Sequence, residues 1–132
     1  MKLTLHTDGG SRGNPGHSAG GYVLHDKKQL VDQGGAYIGI ATCNEAEYYG
    51  LIQGIEAAVR YGATELRILC DSKLVVMQVK GKWKAKKARL KTLLENVIEA
   101  LQPFEFSINH IRRDKNAEAD AIVNEILDSV VI

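Results

Sequence analysis

Cysteine is scarce in this chain of 132 residues: Cys43 and Cys70 are the only two, and neither belongs to a CxxC pair. That usage argues against a disulfide framework or a zinc site and suits a reducing, cytoplasmic setting. Long apolar runs are also missing. No stretch approaches the roughly 18 apolar residues of a membrane span, so no membrane partner is expected. The opening MKLTLHTDGG turns polar too soon for a secretory signal. There is no internal repeat and no low-complexity linker, and the length suits one domain over residues 1–132. Nor does an exposed apolar stripe demand a partner, so a monomer is expected.

Net charge is nearly absent as well, at +1, but this balance hides an uneven distribution. Residues 80–91, KGKWKAKKARLK, carry seven basic side chains and no acid; the rest of the chain carries ten basic and sixteen acidic groups. An acidic body argues against nucleic-acid binding over the whole surface. One basic patch still permits directed contact with phosphates.

The hydrophobic pattern sets out the elements. Residues 2–8 alternate as a strand, and DGGSRGNPGHSAGG reads as a long Gly-rich turn. Strands follow over 20–26 and 29–38, joined by a tight turn near Lys27, so the first three strands form an antiparallel meander. A helix over 45–61 carries Leu51, Ile52, Ile55, Ala58 and Val59 at helical period and ends at Gly62. ELRILC at 65–70 reads as a buried parallel strand. Helices over 72–79 and 86–101, a strand over 104–111 and a last helix over 117–130 complete the chain. The fold class is therefore α/β. Three antiparallel strands followed by two parallel ones make a mixed five-stranded sheet, with helices on both faces.

Four acids stand out, and each has a plain local explanation. Asp8 precedes Gly-Gly, where Asp favours turns. Glu47 lies three residues after Asn44, the spacing of a capping box. Yet Glu47 also shares a helix face with Leu51, Ile55 and Ala58, where a carboxylate is costly without a partner. Asp71 sits between a strand and a helix, where it could be an N-cap. It also lies beyond the carboxyl end of a parallel strand, where α/β sheets bind ligands. Asp120 lies one turn into the last helix and could be a solvated surface acid. If the four converge, they become hard oxygen ligands for divalent cations. Phosphodiester hydrolysis can use two such ions roughly 3.5–4 Å apart, one side activating water and the other stabilising the leaving oxygen. Spacing alone does not establish convergence.

TDGGSRGNPGHSAGGYVL at 7–24, TCNEAEYYGLIQGIEAA at 42–58, LCDSKLVVMQVKGKW at 69–83 and HIRRDKNAEADAI at 110–122 appear in this order. With these four motifs the chain resembles the RNase HI family over essentially its whole length. The resemblance implies an RNase H-like fold, with Asp8, Glu47, Asp71 and Asp120 as catalytic metal ligands. It implies two Mg²⁺ ions, with Mn²⁺ as a substitute, and an RNA/DNA hybrid as substrate. Cleavage of the RNA strand would leave 5′-phosphate and 3′-hydroxyl ends. Arg113 holds the place of a mobile polar residue, often His in the family, that helps exchange water or product. Arg is not a neutral base near pH 7, so its role would be phosphate stabilisation or product release. His110 is a second candidate for that role, or a packed strand-end histidine.

Hybrid recognition carries over onto Gly10, Ser11, Asn14, Thr42, Cys43, Asn44 and Ser72, which could read the minor groove where RNA shows its 2′-hydroxyls. Asn14 could equally be a turn residue, and Asn44 a helix cap as well as a groove contact. Cys43 departs from the polar residue common at its place. The family's N-terminal hybrid-binding module and inserted basic helix have no counterpart in the sequence. The 80–91 run could take over part of their task, with Lys82, Lys84, Lys86, Lys87 and Arg89 on DNA-strand phosphates. Trp83 would then meet a sugar or close the core.

Two other readings remain. One is a nucleic-acid-binding module that keeps the fold with weak or no catalysis. The other is a different metal-dependent phosphoryl-transfer enzyme on the same fold, since a fold does not fix function.

Overall fold

The computed structural model describes residues 1–130. Its elements are β1 (Lys2–Arg12), β2 (Gly16–Asp26), β3 (Gln29–Ala41), α1 (Cys43–Arg60), β4 (Glu65–Cys70), α2 (Lys73–Val79), α3 (Ala88–Leu101), β5 (Glu105–His110), a 3-10 turn (Arg113–Lys115) and α4 (Ala117–Val130). The sheet order is β3-β2-β1-β4-β5, with β1–β2 and β2–β3 antiparallel and β1–β4 and β4–β5 parallel. The mixed five-stranded sheet expected from the pattern is present, and β1 is its centre, where antiparallel pairing gives way to parallel.

The long turn expected after Asp8 is not there. β1 runs on to Arg12 and β2 starts at Gly16, with Asp8 opposite Gly21 and Gly9 opposite Gly20. The glycines that read as punctuation instead permit close packing on both faces. A Cβ on Gly9 would enter the α1 backbone at Ala46 and Glu47, whereas one on Gly10 would meet Val123 of α4 at 3.1 Å. Successive strand residues face opposite ways, so α1 and α4 cover opposite faces. The turn at Lys27 is as expected, with Lys27 at φ 56.

The caps also differ from the sequence reading. Thr42, not Asn44, caps α1: its side chain accepts from Glu45 N at 3.2 Å, and the Glu45 carboxylate accepts from Thr42 N at 3.2 Å. Ser72, not Asp71, caps α2, its hydroxyl accepting from Val75 N at 3.3 Å. Glu47 and Asp71 are thereby left without the capping roles that would have explained them locally.

The main core lies on the α1 face, where Leu3, Leu5, Leu51, Ile55, Ile68, Val97 and Leu101 pack together. A smaller cluster of Ala19, Val123 and Leu127 seals α4 to the other face. Burying one such Leu or Ile contributes about 1.5–3 kcal/mol. Val59 of the expected α1 stripe is exposed, as is Ile98 of α3. Among the described residues no helix is long and apolar enough to cross a membrane. Both cysteines are free.

Candidate active site

The register of the parallel strands builds the site. Thr7 pairs with Cys70, so Asp8 and Asp71, each one residue further on, emerge side by side at the carboxyl ends of β1 and β4. Glu47 reaches them from the first turns of α1, and its Oε1 accepts from the Gly9 N–H. Carboxylate oxygens of Asp8, Glu47 and Asp71 all lie within 4.8 Å of one another. Asp120 comes from α4 on the opposite face and lines the same cleft, of about 390 Å³. The Asn124 amide holds it by donating to Oδ2 at 3.1 Å. The four acids flagged in the sequence thus converge, three as a tight cluster and the fourth beside it.

This packing is electrostatically unfavourable without a cation. Asp8 is 3% exposed and Glu47 6%. Burial pushes the Asp8 carboxyl up to about 7; its contact with Glu47 opposes the rise, and Asp71 and Asp120 add to it. Burial raises Glu47 well above the usual carboxylate range, the Asp8 charge raises it further, and the Gly9 N–H works against both. Buried carboxylates that repel one another favour protonation or a bound cation. An all-oxygen set of this kind fits a hard divalent ion such as Mg²⁺ or Mn²⁺.

The sequence reading passed over Asn116. It is buried, and its amide donates to the Thr7 carbonyl at 2.8 Å and to Asp71 Oδ2 at 3.0 Å. It thereby ties the start of α4 to β1 and fixes the Asp71 carboxylate. Its backbone carbonyl accepts from Asp120 N at 3.1 Å, so an Asn just before an apolar helical stripe was the available signal. Arg12 was also passed over, although it lines the cleft.

The other candidates divide by position. Arg113, Gly10, Ser11, Cys43, Asn44 and Ser72 line the cleft with the acids. Thr42 and Asn14 lie outside its lining: Thr42 is the α1 cap, and Asn14 Oδ1 accepts from Cys43 N at 3.1 Å. The Ser11 hydroxyl lies 3.1 Å from the Ala41 carbonyl and also reaches that of Gly13, so it is engaged within the protein. His110, at the end of β5, donates from Nε2 to the Asp71 carbonyl at 3.2 Å. Lys82, Lys84, Lys86 and Lys87 are exposed and do not line the cleft, and Trp83 is 43% exposed, which rules out its closing the core. Arg89 is paired with Glu45 of the α1 capping box. Buried Gln78 accepts from the Tyr48 hydroxyl at 2.5 Å and donates to the Lys84 carbonyl at 3.4 Å, anchoring the basic loop to α1.

Comparison with known proteins gives concordant results. Residues 6–126 match the family model described as reverse transcriptase-like. A bifunctional protein of Mycobacterium tuberculosis is 41% identical over 98% of this chain, which spans only 36% of that protein's length. The crystal structure of RNase H1 from the halophilic archaeon Halobacterium salinarum is 40% identical. It aligns with a TM-score of 0.95 over 98% of this chain and 99% of its own. The crystal structure of LC11-RNase H1 in complex with an RNA/DNA hybrid is 35% identical, with a TM-score of 0.94 over 98% and 99% of the two chains.

Proposed function

The chain belongs to the ribonuclease HI family, and from that premise we propose that it is a metal-dependent endoribonuclease acting on the RNA strand of RNA/DNA hybrids. The products would carry 5′-phosphate and 3′-hydroxyl ends. The observation that carries this reading is the convergence of Asp8, Glu47 and Asp71 within 4.8 Å, with Asp120 on the same cleft. The full set of acids, held in place by Asn116, Asn124 and the Gly9 amide, favours catalysis over a module that only binds.

Two Mg²⁺ ions, or Mn²⁺ in their place, held by Asp8, Glu47, Asp71 and Asp120, would supply water activation and charge stabilisation at the scissile phosphate. The protein's own part is to keep the ligands aligned before substrate arrives. Asn116 fixes the Asp71 oxygen, the Gly9 N–H fixes Glu47, and Asn124 fixes Asp120. Arg113, exposed on its 3-10 turn at the cleft edge, would meet phosphate charge or release product. Gly10, Cys43, Asn44 and Ser72 would approach the minor groove, with Ser11, Asn14 and Thr42 holding the surface that does so. The anchored loop carrying Lys82, Lys84, Lys86 and Lys87 would meet the DNA-strand backbone, with Arg89 beside it. The two free thiols suit a reducing cytoplasm, and we take the working unit to be a monomer.

The test is cleavage of a labelled RNA/DNA hybrid with Mg²⁺ and with Mn²⁺, beside Asp8→Asn. Cutting of the RNA strand alone, lost in the variant, is expected. Hybrid binding without cleavage under either metal would replace this reading with that of a binding module. Cleavage of duplex DNA or single-stranded RNA in preference to hybrid would point to a different phosphoryl-transfer enzyme.

A further inference from the structure

The cleft is lined by four acids, yet its proposed substrate is a polyanion. Among the described residues, the cations on its lining are Arg113 and Arg12. Arg12 ends β1, and its Nη2 lies 2.6 Å from Asp128 Oδ1 on α4. Both partners are solvent-exposed, with side chains 38% and 69% accessible, so the pair is weakly held.

The backbone beneath Arg12 is fixed. The Ser11 hydroxyl bonds the Ala41 carbonyl at 3.1 Å, and Asn14 Oδ1 takes the Cys43 N–H at 3.1 Å. Only the arginine side chain has to move to exchange partners. A guanidinium fork fits a phosphate as well as it fits a carboxylate. We infer that Arg12 binds the phosphodiester backbone of the strand crossing the β1–β2 end of the cleft, and that Asp128 is its built-in competitor. Asp128 therefore lowers affinity for nucleic acid by holding Arg12 in the free protein. This inference rests on the hybrid-cleaving reading above.

The experiment measures KM, kcat and the salt dependence of hybrid binding for wild type, Arg12→Gln, Asp128→Asn and the double variant. Thermal melts verify that each is folded. Arg12→Gln should raise KM by about 3–10-fold and reduce the slope of log affinity against log salt by about 1. Asp128→Asn should lower KM by about 2–5-fold, the fraction of Arg12 it releases. In the double variant the Asp128 change should have no effect, because its target is gone. An Asp128→Asn gain of equal size with and without Arg12 would mark a general charge effect and overturn the inference. So would an unchanged KM in Arg12→Gln, or a loss confined to kcat, in a wild-type background that cleaves hybrid. A wild type that neither binds nor cleaves hybrid removes the underlying reading instead, and this inference with it.

Discussion

Replacing Asp8 by Asn should stabilise the metal-free protein even as it abolishes activity. In the fold the Asp8 carboxyl sits at about 7 against an ordinary 3.8, raised first by burial. The folded state therefore binds this proton more tightly than the unfolded chain. Its contribution to stability is complete below the unfolded value and is lost as pH rises through about 7. At about 1.36 kcal/mol per pH unit, the rise from 3.8 to about 7 sets a ceiling of about 4 kcal/mol. Asn has nearly the same shape and no charge, so above neutrality it escapes this cost; it also relieves Glu47, which the Asp8 charge pushes upward.

Urea unfolding in EDTA at pH 4 and pH 8 reads the effect. The variant should match wild type at pH 4 and exceed it by about 2–4 kcal/mol at pH 8. Added Mg²⁺ should then stabilise wild type by about 2.7 kcal/mol at a hundred times its Kd, and the variant by less. A variant no more stable than wild type at pH 8, or a difference independent of pH, would refute the argument that buried like charges strain the empty cluster.

Asn116→Ala should cost about 1–3 kcal/mol, since it leaves a buried carbonyl of Thr7 without its donor, and should reduce kcat by freeing Asp71; unfolding curves and steady-state kinetics test both. Gly9→Ala should cost about 3 kcal/mol or more, because its Cβ would enter the α1 backbone at Ala46 and Glu47; a wild-type melting curve would contradict the close approach of α1 to β1. Changing Lys82, Lys84 and Lys86 together to Ala should weaken hybrid binding at low salt and flatten its salt dependence by up to about 3 in slope. An unaltered slope would remove the basic loop from the interface. Thr42→Ala should destabilise by about 1 kcal/mol through loss of the α1 cap, while Asn44→Ala should leave the helix end intact, as paired denaturation curves would show.

Local patterns in the chain determined the element order, the strand directions and the two-faced sheet. Periodicity is a property of neighbouring residues, and it survives folding largely unchanged: α4 begins at Ala117, where the last helix is expected to begin. The four ordered motifs, through the family resemblance they carry, likewise mark Asp8, Glu47, Asp71 and Asp120. What local pattern left undecided was which of several adjacent polar residues takes which role. Thr42 and Asn44 are both acceptable caps, as are Asp71 and Ser72, and only the path of the chain selected Thr42 and Ser72 and so released the two acids.

The tertiary structure alone decided convergence, because it depends on contacts between residues far apart in sequence. Pairing of Thr7 with Cys70 sets Asp8 beside Asp71, and α4 delivers Asp120 from the opposite face. The glycines show the same division: read locally, Gly9, Gly10, Gly20 and Gly21 suggest a turn. In three dimensions they are the places where two helices press against the central strands, since a missing Cβ is as useful for close approach as for a tight bend. Asn116 and the Arg12–Asp128 pair belong to this second class. Their partners lie on other elements, and a linear pattern carries no record of them.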